Sequence, residues 1–169
     1  GAWLADAAYP VTVDPPIEIV NSGPGDAPAG AATPFHGNTA LAYNPTANTY
    51  LAVIEYRNGT DTDIEWAPLG ADGSFTGPIR TADGDEAAGV QPDDVWPDVD
   101  YSATSNNFLI VWAEERIADD GVLTKIKGIR VDAAGAPIGA TLTLRDTEVD
   151  TPAIANDDAR RLVVHALAT

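Results

Sequence analysis

Residues 107–112, NFLIVW, decide the fold, together with residues 49–54, TYLAVI, which come 58 positions earlier (107 minus 49). Each stretch is a nearly continuous run of aliphatic and aromatic residues. Such a run predicts a β-strand covered on both faces, because a strand with one face in water alternates apolar and polar residues. An earlier apolar run ends at Tyr43 or Tyr101, and a turn rich in Asn, Ser, Thr or Pro follows it. Each copy therefore predicts a β-hairpin.

A second hairpin follows the first in each copy. Residues 64–77, IEWAPLGADGSFTG, align with residues 126–139, IKGIRVDAAGAPIG. Asp72-Gly73 is a tight-turn signal because glycine accepts positive φ, and Gly135 holds the matching position. The offset is now 62 (135 minus 73). We therefore expect four extra residues in the loop between the two hairpins of the second copy.

The repeat divides the chain into four parts, and the unit is four antiparallel strands. These parts are residues 1–37 with N-terminal strands, 38–95 with repeat unit 1, 96–150 with repeat unit 2, and 151–169 with the first two strands of an incomplete third unit. Strands predicted within residues 9–20 would complete that unit, in the same chain or in a second copy. The other interpretation is that the chain is a piece of a larger propeller.

The fold class predicted is all-β, with the repeated units arranged as β-propeller blades. A β-sandwich is the alternative, because regular short strands also suit that architecture. The close repetition of a four-stranded unit favours blades.

Residues 97–102, PDVDYS, followed by NFLIVW and IKGIRVDAAGAPIG, resemble repeats of large secreted and surface-anchored bacterial and archaeal proteins. Those repeats are taken to be β-propeller blades of a broadly sialidase-like or integrin-α-like kind. The resemblance implies a propeller and an extracellular or cell-surface location. It does not imply sialidase activity, since the Asp72-Gly73 turn lacks the preceding Ser and the following Thr-Trp of the sialidase Asp-box.

The charge of the chain argues against two classes of partner. There are 26 acidic and 9 basic residues, which give a net charge of −17. Such a surface repels nucleic-acid phosphates and anionic lipids. No apolar run reaches the roughly 18 residues that span a bilayer. We therefore expect neither nucleic-acid binding nor membrane insertion. The absence of cysteine excludes disulfides and thiolate chemistry.

A calcium site is the most specific chemistry that the sequence predicts. Asp83, Asp85 and Glu86 place three carboxylates around Gly84 in the loop between the units. Hard carboxylate and carbonyl oxygens are the ligands that Ca²⁺ prefers. The alternative is an acidic loop in solvent.

Trp96, Asp98 and Trp66 are the candidate ligand-binding residues. An aromatic ring can stack on a sugar while a carboxylate accepts its hydroxyl protons. Acid pairs such as Glu114-Glu115 offer the two carboxylates that a glycosidase requires. No G-x-S-x-G nucleophile motif is present, and His36 has no partner nearby in the sequence. We therefore predict no catalytic residues.

The function predicted is a non-catalytic extracellular structural or interaction module, active in adhesion or assembly. Its partners would be further copies of itself, other surface proteins or glycans. The alternative is a carbohydrate-binding or glycoside-active propeller. A cleft lined by Trp96 or Trp66 with two facing carboxylates would support the alternative, and shared terminal strands would support assembly.

Overall fold

A computed structural model of the chain describes residues 35–58, 61–82, 92–118, 121–146, 152–156 and 161–165. The described residues form ten β-strands and no helix. The strands are β1 (Phe35–Asn44), β2 (Thr49–Asn58), β3 (Asp61–Gly70), β4 (Arg80–Thr81), β5 (Asp93–Ser102), β6 (Asn107–Ala118), β7 (Gly121–Asp132), β8 (Leu142–Arg145), β9 (Pro152–Asn156) and β10 (Arg161–His165).

Two four-stranded antiparallel sheets and one hairpin make up this part of the chain. Sheet 1 has the order β1-β2-β3-β4, sheet 2 has the order β5-β6-β7-β8, and β9 pairs with β10. The predicted all-β class and the four-stranded antiparallel units are thereby confirmed. The described strands close neither a barrel nor a propeller ring.

Strand pairing is the same in the two sheets. Tyr43 lies opposite Tyr50 in sheet 1, as Tyr101 lies opposite Phe108 in sheet 2. The first strand of each sheet also contains one extra residue at the same place, between His36 and Thr39 in β1 and between Val95 and Asp98 in β5. Such a β-bulge bends the strand locally. The repeat therefore extends to the register of every long strand.

The expected position of the four extra residues is wrong. Strands β6 and β7 have 12 residues each, whereas β2 and β3 have 10 each. Asn58 pairs with Asp61 and Ala118 with Gly121, so two residues separate the paired ends in both hairpins. The four extra residues therefore lie in β6 and β7, where they pair with each other across the hairpin, and not in the loop.

The hairpin tips repeat in atomic detail. Asn48 and Asn106 both have positive φ, 53° and 48°, which asparagine tolerates better than most residues. The Tyr43 hydroxyl donates to the side-chain oxygen of Asn48 at 2.8 Å, and the Tyr101 hydroxyl donates to that of Asn106 at 2.7 Å. The tyrosine next to the end of each first strand therefore fixes the turn that follows it.

Each sheet has two faces, which we name from the alternation of side chains along the strands. On sheet 1 the front face carries Leu41, Tyr43, Tyr50 and Leu69, and the back face carries Ala42, Leu51, Val53, Ile64 and Trp66. On sheet 2 the front face carries Val99, Tyr101, Phe108, Ile110, Trp112, Ile129 and Val131, and the back face carries Val111, Ala113 and Ile126.

The main core lies between the back face of sheet 1 and the front face of sheet 2. One cluster of buried residues contains Leu51, Val53 and Trp66 together with Ile110 and Trp112. Strand β5 packs against β1, β2 and β3. Burying this apolar surface is the main source of stability for the described part of the chain.

Sheet 2 is covered on its other face as well. Ala113 and Ile126 on its back face form a second cluster with Val163 of β10. Strand β9 packs against β5 and β6. The prediction that residues 107–112 form a strand covered on both faces is confirmed. The strands predicted within residues 9–20 lie outside the described residues.

Candidate functional site: the junctions between the units

The carboxylate of Glu55 connects sheet 1 with sheet 2. Its Oε2 accepts hydrogen bonds from the side-chain nitrogen of Asn38 at 2.9 Å and from the backbone N–H of Trp96 at 3.4 Å. A Cβ on Gly37 would lie only 2.5 Å from Oε1 of Glu55, so a side chain there would displace the carboxylate. Glu55 therefore holds the bulge of β1 and the bulge of β5 together.

Trp96 occupies a strained position in the bulge of β5. Its φ is 53°, in the left-handed region that large side chains rarely adopt. The residue is half-buried, and its side chain packs against Ala113 and Ile126. Backbone strain at a bulky residue persists only where the surrounding structure enforces it. Here the enforcing contacts are the Glu55 hydrogen bond and the packing on sheet 2.

Asp98 connects sheet 2 with the third unit. Its Oδ2 accepts the backbone N–H of Ile154 in β9 at 2.8 Å, and its Oδ1 accepts the backbone N–H of Val99 at 2.9 Å. Both oxygens are thus engaged with backbone donors. Asp98 at the second junction and Glu55 at the first have the same role. Each carboxylate accepts a hydrogen bond from a backbone N–H in the first strand of the next unit.

Trp66 lies inside the core between the two sheets. Only 1% of the residue is exposed, and its indole N–H donates to the carbonyl oxygen of Gly135 at 2.9 Å. Gly135 belongs to the turn after β7, and a Cβ there would lie 2.9 Å from Cδ of Pro68. The turn after β7 in unit 2 therefore packs against β3 of unit 1.

A buried ion pair lies at the end of the front face of sheet 2. Lys127 Nζ is 2.8 Å from Glu114 Oε2, with side chains 14% and 6% exposed. Asp94 is directly opposite Glu114 and is also buried. Two facing carboxylates repel each other, so the Lys127 ammonium compensates their charge. The sequence made Glu114 a candidate acid but did not point to Lys127, although alternation along β7 puts Lys127 on the same face as Ile129.

Two carboxyl groups have shifted pKa values. Partial burial, and secondarily the charge of Asp63, raises the pKa of Glu65 above its usual 4.5. Hydrogen bonds from the hydroxyl and the backbone N–H of Ser74 lower the pKa of Asp72 below its usual 3.8. Glu65 follows the alternation of the front face of sheet 1, whereas Asp72 is at an exposed turn. The charged neighbour of Glu65 is therefore a second acid, Asp63, two residues away on the same strand.

The structure does not bring the three predicted ligand-binding residues together. Trp96 and Asp98 share the bulge of β5 and engage the back of sheet 2, whereas Trp66 is enclosed on the opposite side of that sheet. A sugar could reach Trp66 only if the sheets separated. The sugar hypothesis therefore depends on Trp96 and Asp98 alone, and it stays a prediction.

The predicted calcium ligands Asp83, Asp85 and Glu86 lie outside the described residues. Within the described ranges, no three His, Asp or Glu side chains come together in a group that could hold a metal ion. The calcium site stays a prediction from the sequence.

The fold and these junctions define a class of protein. It is an all-β protein in which four-stranded sheets stack face to face, joined by apolar cores and by carboxylates that accept backbone N–H groups. Comparison with family models, curated proteins and solved structures gave no match. In the part of the chain that the structure describes, no helix is long and apolar enough to span a membrane.

Proposed function

We propose that this chain is a non-catalytic structural and interaction module that works by stacking four-stranded β-units in series. The observation that carries the proposal is that one mode of packing occurs twice. Sheet 2 places its front face on the back face of sheet 1, and the third unit then covers the back face of sheet 2. A contact that joins the back of one unit to the front of the next is heterologous, and such contacts continue into rings or filaments.

The roles of the polar residues at the junctions support this proposal. Glu55 and Asp98 accept backbone N–H groups of the following unit, and the indole of Trp66 donates to the turn of the following unit. A binding or catalytic site needs polar groups that are free to meet a ligand. These groups instead hold the units together.

We place the units in a propeller-like array and not in a two-layer sandwich. A sandwich leaves the outer face of each sheet in water. Sheet 2 instead has apolar clusters on both faces. In addition, the first strand of each unit packs against the first strand of the preceding unit, β5 on β1 and β9 on β5. Such contact between equivalent strands is what a common axis of radially arranged blades would produce.

The module belongs, in this proposal, to a secreted or cell-surface protein, where its partners would be further units of the same kind or other surface proteins. The location rests on the resemblance to repeats of surface-anchored proteins. A net charge of −17 fits a role in which the exposed surface stays hydrated while the apolar faces make the contacts.

The experiment that tests the proposal is the mass of the full chain in solution, measured by sedimentation over a wide range of concentration. We expect the mass to rise above that of the 17.6 kDa monomer as concentration increases. A parallel measurement on a chain without residues 1–20 tests whether terminal strands are shared, in which case the truncated chain associates less. A full chain that stays monomeric throughout, or that binds or cleaves glycans as a monomer, would contradict the proposal.

A further inference from the structure

The front faces of the two sheets are equivalent, but only one of them is covered by a sheet among the described residues. With the 58-residue offset, Leu41 corresponds to Val99 and Tyr43 to Tyr101. Val99 and Tyr101 are 6% and 7% exposed because sheet 1 packs over them. In this chain, the front face of sheet 2 is therefore covered by the back face of another unit, sheet 1.

On sheet 1 the same positions are open to solvent. Leu41 is 45% exposed and Tyr43 is 43% exposed, although Ala52, Ala67 and Leu69 further along that face are buried. The exposure thus lies along β1, whose counterpart β5 touches all three long strands of the preceding sheet. Two large apolar residues are thus exposed at positions that are buried in the equivalent sheet.

On the back face of the third unit, the one residue whose side chain is described is exposed. The back of sheet 1 is covered by sheet 2, and the back of sheet 2 is covered by the third unit. In the third unit, Ile154 pairs with Val163, and Val163 points to sheet 2. Ala153 is one residue along β9, so it lies on the opposite face, and it is exposed.

Among the described strands, the third unit contributes two, β9 and β10. Sheets 1 and 2 continue from their second strand into a third and a fourth, whereas β10 pairs only with β9 among the described strands. A two-stranded hairpin is marginally stable alone. It gains stability when both of its faces are covered, as both faces of sheet 2 are.

We infer that the front face of sheet 1 along β1, with Leu41 and Tyr43, binds the back face of the third unit, with Ala153, of a second copy of this chain. The contact continues the packing that already joins sheet 1 to sheet 2 and sheet 2 to the third unit. The inference rests on the proposed function, because it names the two surfaces through which one copy of the chain would stack on the next.

The test uses two variants of the full chain that block one surface each. Leu41→Glu puts a charge on the front surface, and Ala153→Glu puts one on the back surface. The matched control is Ile79→Glu, since Ile79 is 57% exposed and lies outside every strand and both surfaces. The readout is the mass of each chain, and of mixtures, by sedimentation, with unfolding midpoints measured in parallel.

We expect each blocked variant to have a dissociation constant roughly thirtyfold higher than the unaltered chain, the effect of losing a central contact residue. The Ile79→Glu control keeps the unaltered dissociation constant. Because the contact is heterologous, a mixture of Leu41→Glu and Ala153→Glu forms a dimer of one copy of each, through the surfaces that remain intact. That dimer also shows that both variants are folded.

Two results overturn the inference and differ from each other. If the unaltered chain associates and Leu41→Glu associates as well as Ile79→Glu does, the surface is wrong while the proposed function survives. If the unaltered chain stays monomeric at every concentration, no second copy covers Leu41 and Tyr43. In that case the proposed function fails together with the inference.

Discussion

Two tryptophans fill the core between the sheets, but their indole nitrogens have different surroundings. Trp66 is 1% exposed and donates to Gly135 on the other sheet, whereas Trp112 is 0% exposed and its Nε1 has no hydrogen-bond partner in the part of the chain that the structure describes. An unmade hydrogen bond in a core costs stability, and a made one adds to it. Substitutions of the two rings can therefore be compared to measure how much the hydrogen bond between the units contributes to the free energy of unfolding.

Replacing each tryptophan by phenylalanine separates this hydrogen bond from the loss of ring volume. We expect Trp66→Phe to lower the free energy of unfolding by about 1 kcal/mol more than Trp112→Phe does, because only Trp66→Phe leaves the carbonyl of Gly135 without its donor. Urea unfolding of both variants measures the difference. Equal losses would mean that the bond between Trp66 and Gly135 does not contribute to stability.

The raised pKa of Glu65 makes the stability of sheet 1 depend on pH. A carboxyl group whose folded-state pKa is above its unfolded value adds stability below that unfolded value, about 4.5, and this stability is lost as pH rises through the folded pKa. At pH 7 the ionised Glu65 is therefore unfavourable. We expect Glu65→Gln to raise the free energy of unfolding at pH 7 by about 0.5 kcal/mol, a value reduced for solvent screening of a half-buried group.

Asp63→Asn is the matched control for Glu65→Gln. It removes only the charge of Asp63, the smaller cause of the shift, and leaves the burial of Glu65 in place. The gain at pH 7 should therefore be smaller than the gain from Glu65→Gln. Unfolding measured at several pH values from 4 to 7 follows both effects, and a gain from Glu65→Gln that is the same at pH 4 and pH 7 would refute the explanation.

At the scale of the secondary-structure element, the turns after β3 and β7 have the same backbone but different neighbours. Gly73 N donates to Gly70 O, and Gly135 N donates to Asp132 O, each at 3.0 Å. The φ angles are 80° at Gly73 and 82° at Gly135. A Cβ on Gly73 would meet nothing within 4 Å, whereas one on Gly135 would meet Pro68 of the other sheet.

Alanine at each of these two glycines separates backbone strain from the contact between units. Gly73→Ala should cost about 1 kcal/mol, the penalty of the left-handed region for a residue with a Cβ. Gly135→Ala has the same backbone penalty, and its Cβ also forces the turn away from Pro68. We therefore expect it to lower the free energy of unfolding by about 2–4 kcal/mol in total. Denaturant unfolding measures both costs. A Gly135→Ala cost as small as that of Gly73→Ala would show that the turn can leave β3 freely.

At the scale of the whole molecule, sheets 1 and 2 share one core and should unfold together. Val53 of β2 and Ile110 of β6 belong to the same buried cluster. Separating the sheets would expose the back face of one and the front face of the other to water, and exposing that apolar surface is unfavourable. We therefore expect the two units to fold as one cooperative unit.

Native-state hydrogen exchange tests this coupling. We expect the most protected amides of β2 and β6 to exchange with the same opening free energy, within about 1 kcal/mol, and close to that of global unfolding. Strand β8 is the internal control, because its four residues are all exposed and should open locally at lower cost. Clearly different opening free energies for β2 and β6 would mean that each sheet unfolds independently.

Several features of the fold could be predicted from the sequence because they are local. The apolar runs around Tyr50 and Phe108, and the tight turns at Gly73 and Gly135, depend on neighbours within a few residues. The two offsets then placed the strands of both copies in register. The location of the four extra residues was predicted wrongly. Four residues added to the paired strands change the offset between the two copies by the same amount as four residues added to the loop.

The meeting of distant faces was decided by the tertiary structure alone. Strand alternation puts Trp66 on a face, but only the packing of sheet 2 on that face encloses the ring and supplies the carbonyl of Gly135. In the same way, Glu55 and Asp98 are ordinary acids in the sequence, and they become connections because the next unit brings a backbone N–H to each. Periodicity is a property of one strand, whereas contact between faces depends on how whole sheets are arranged in space.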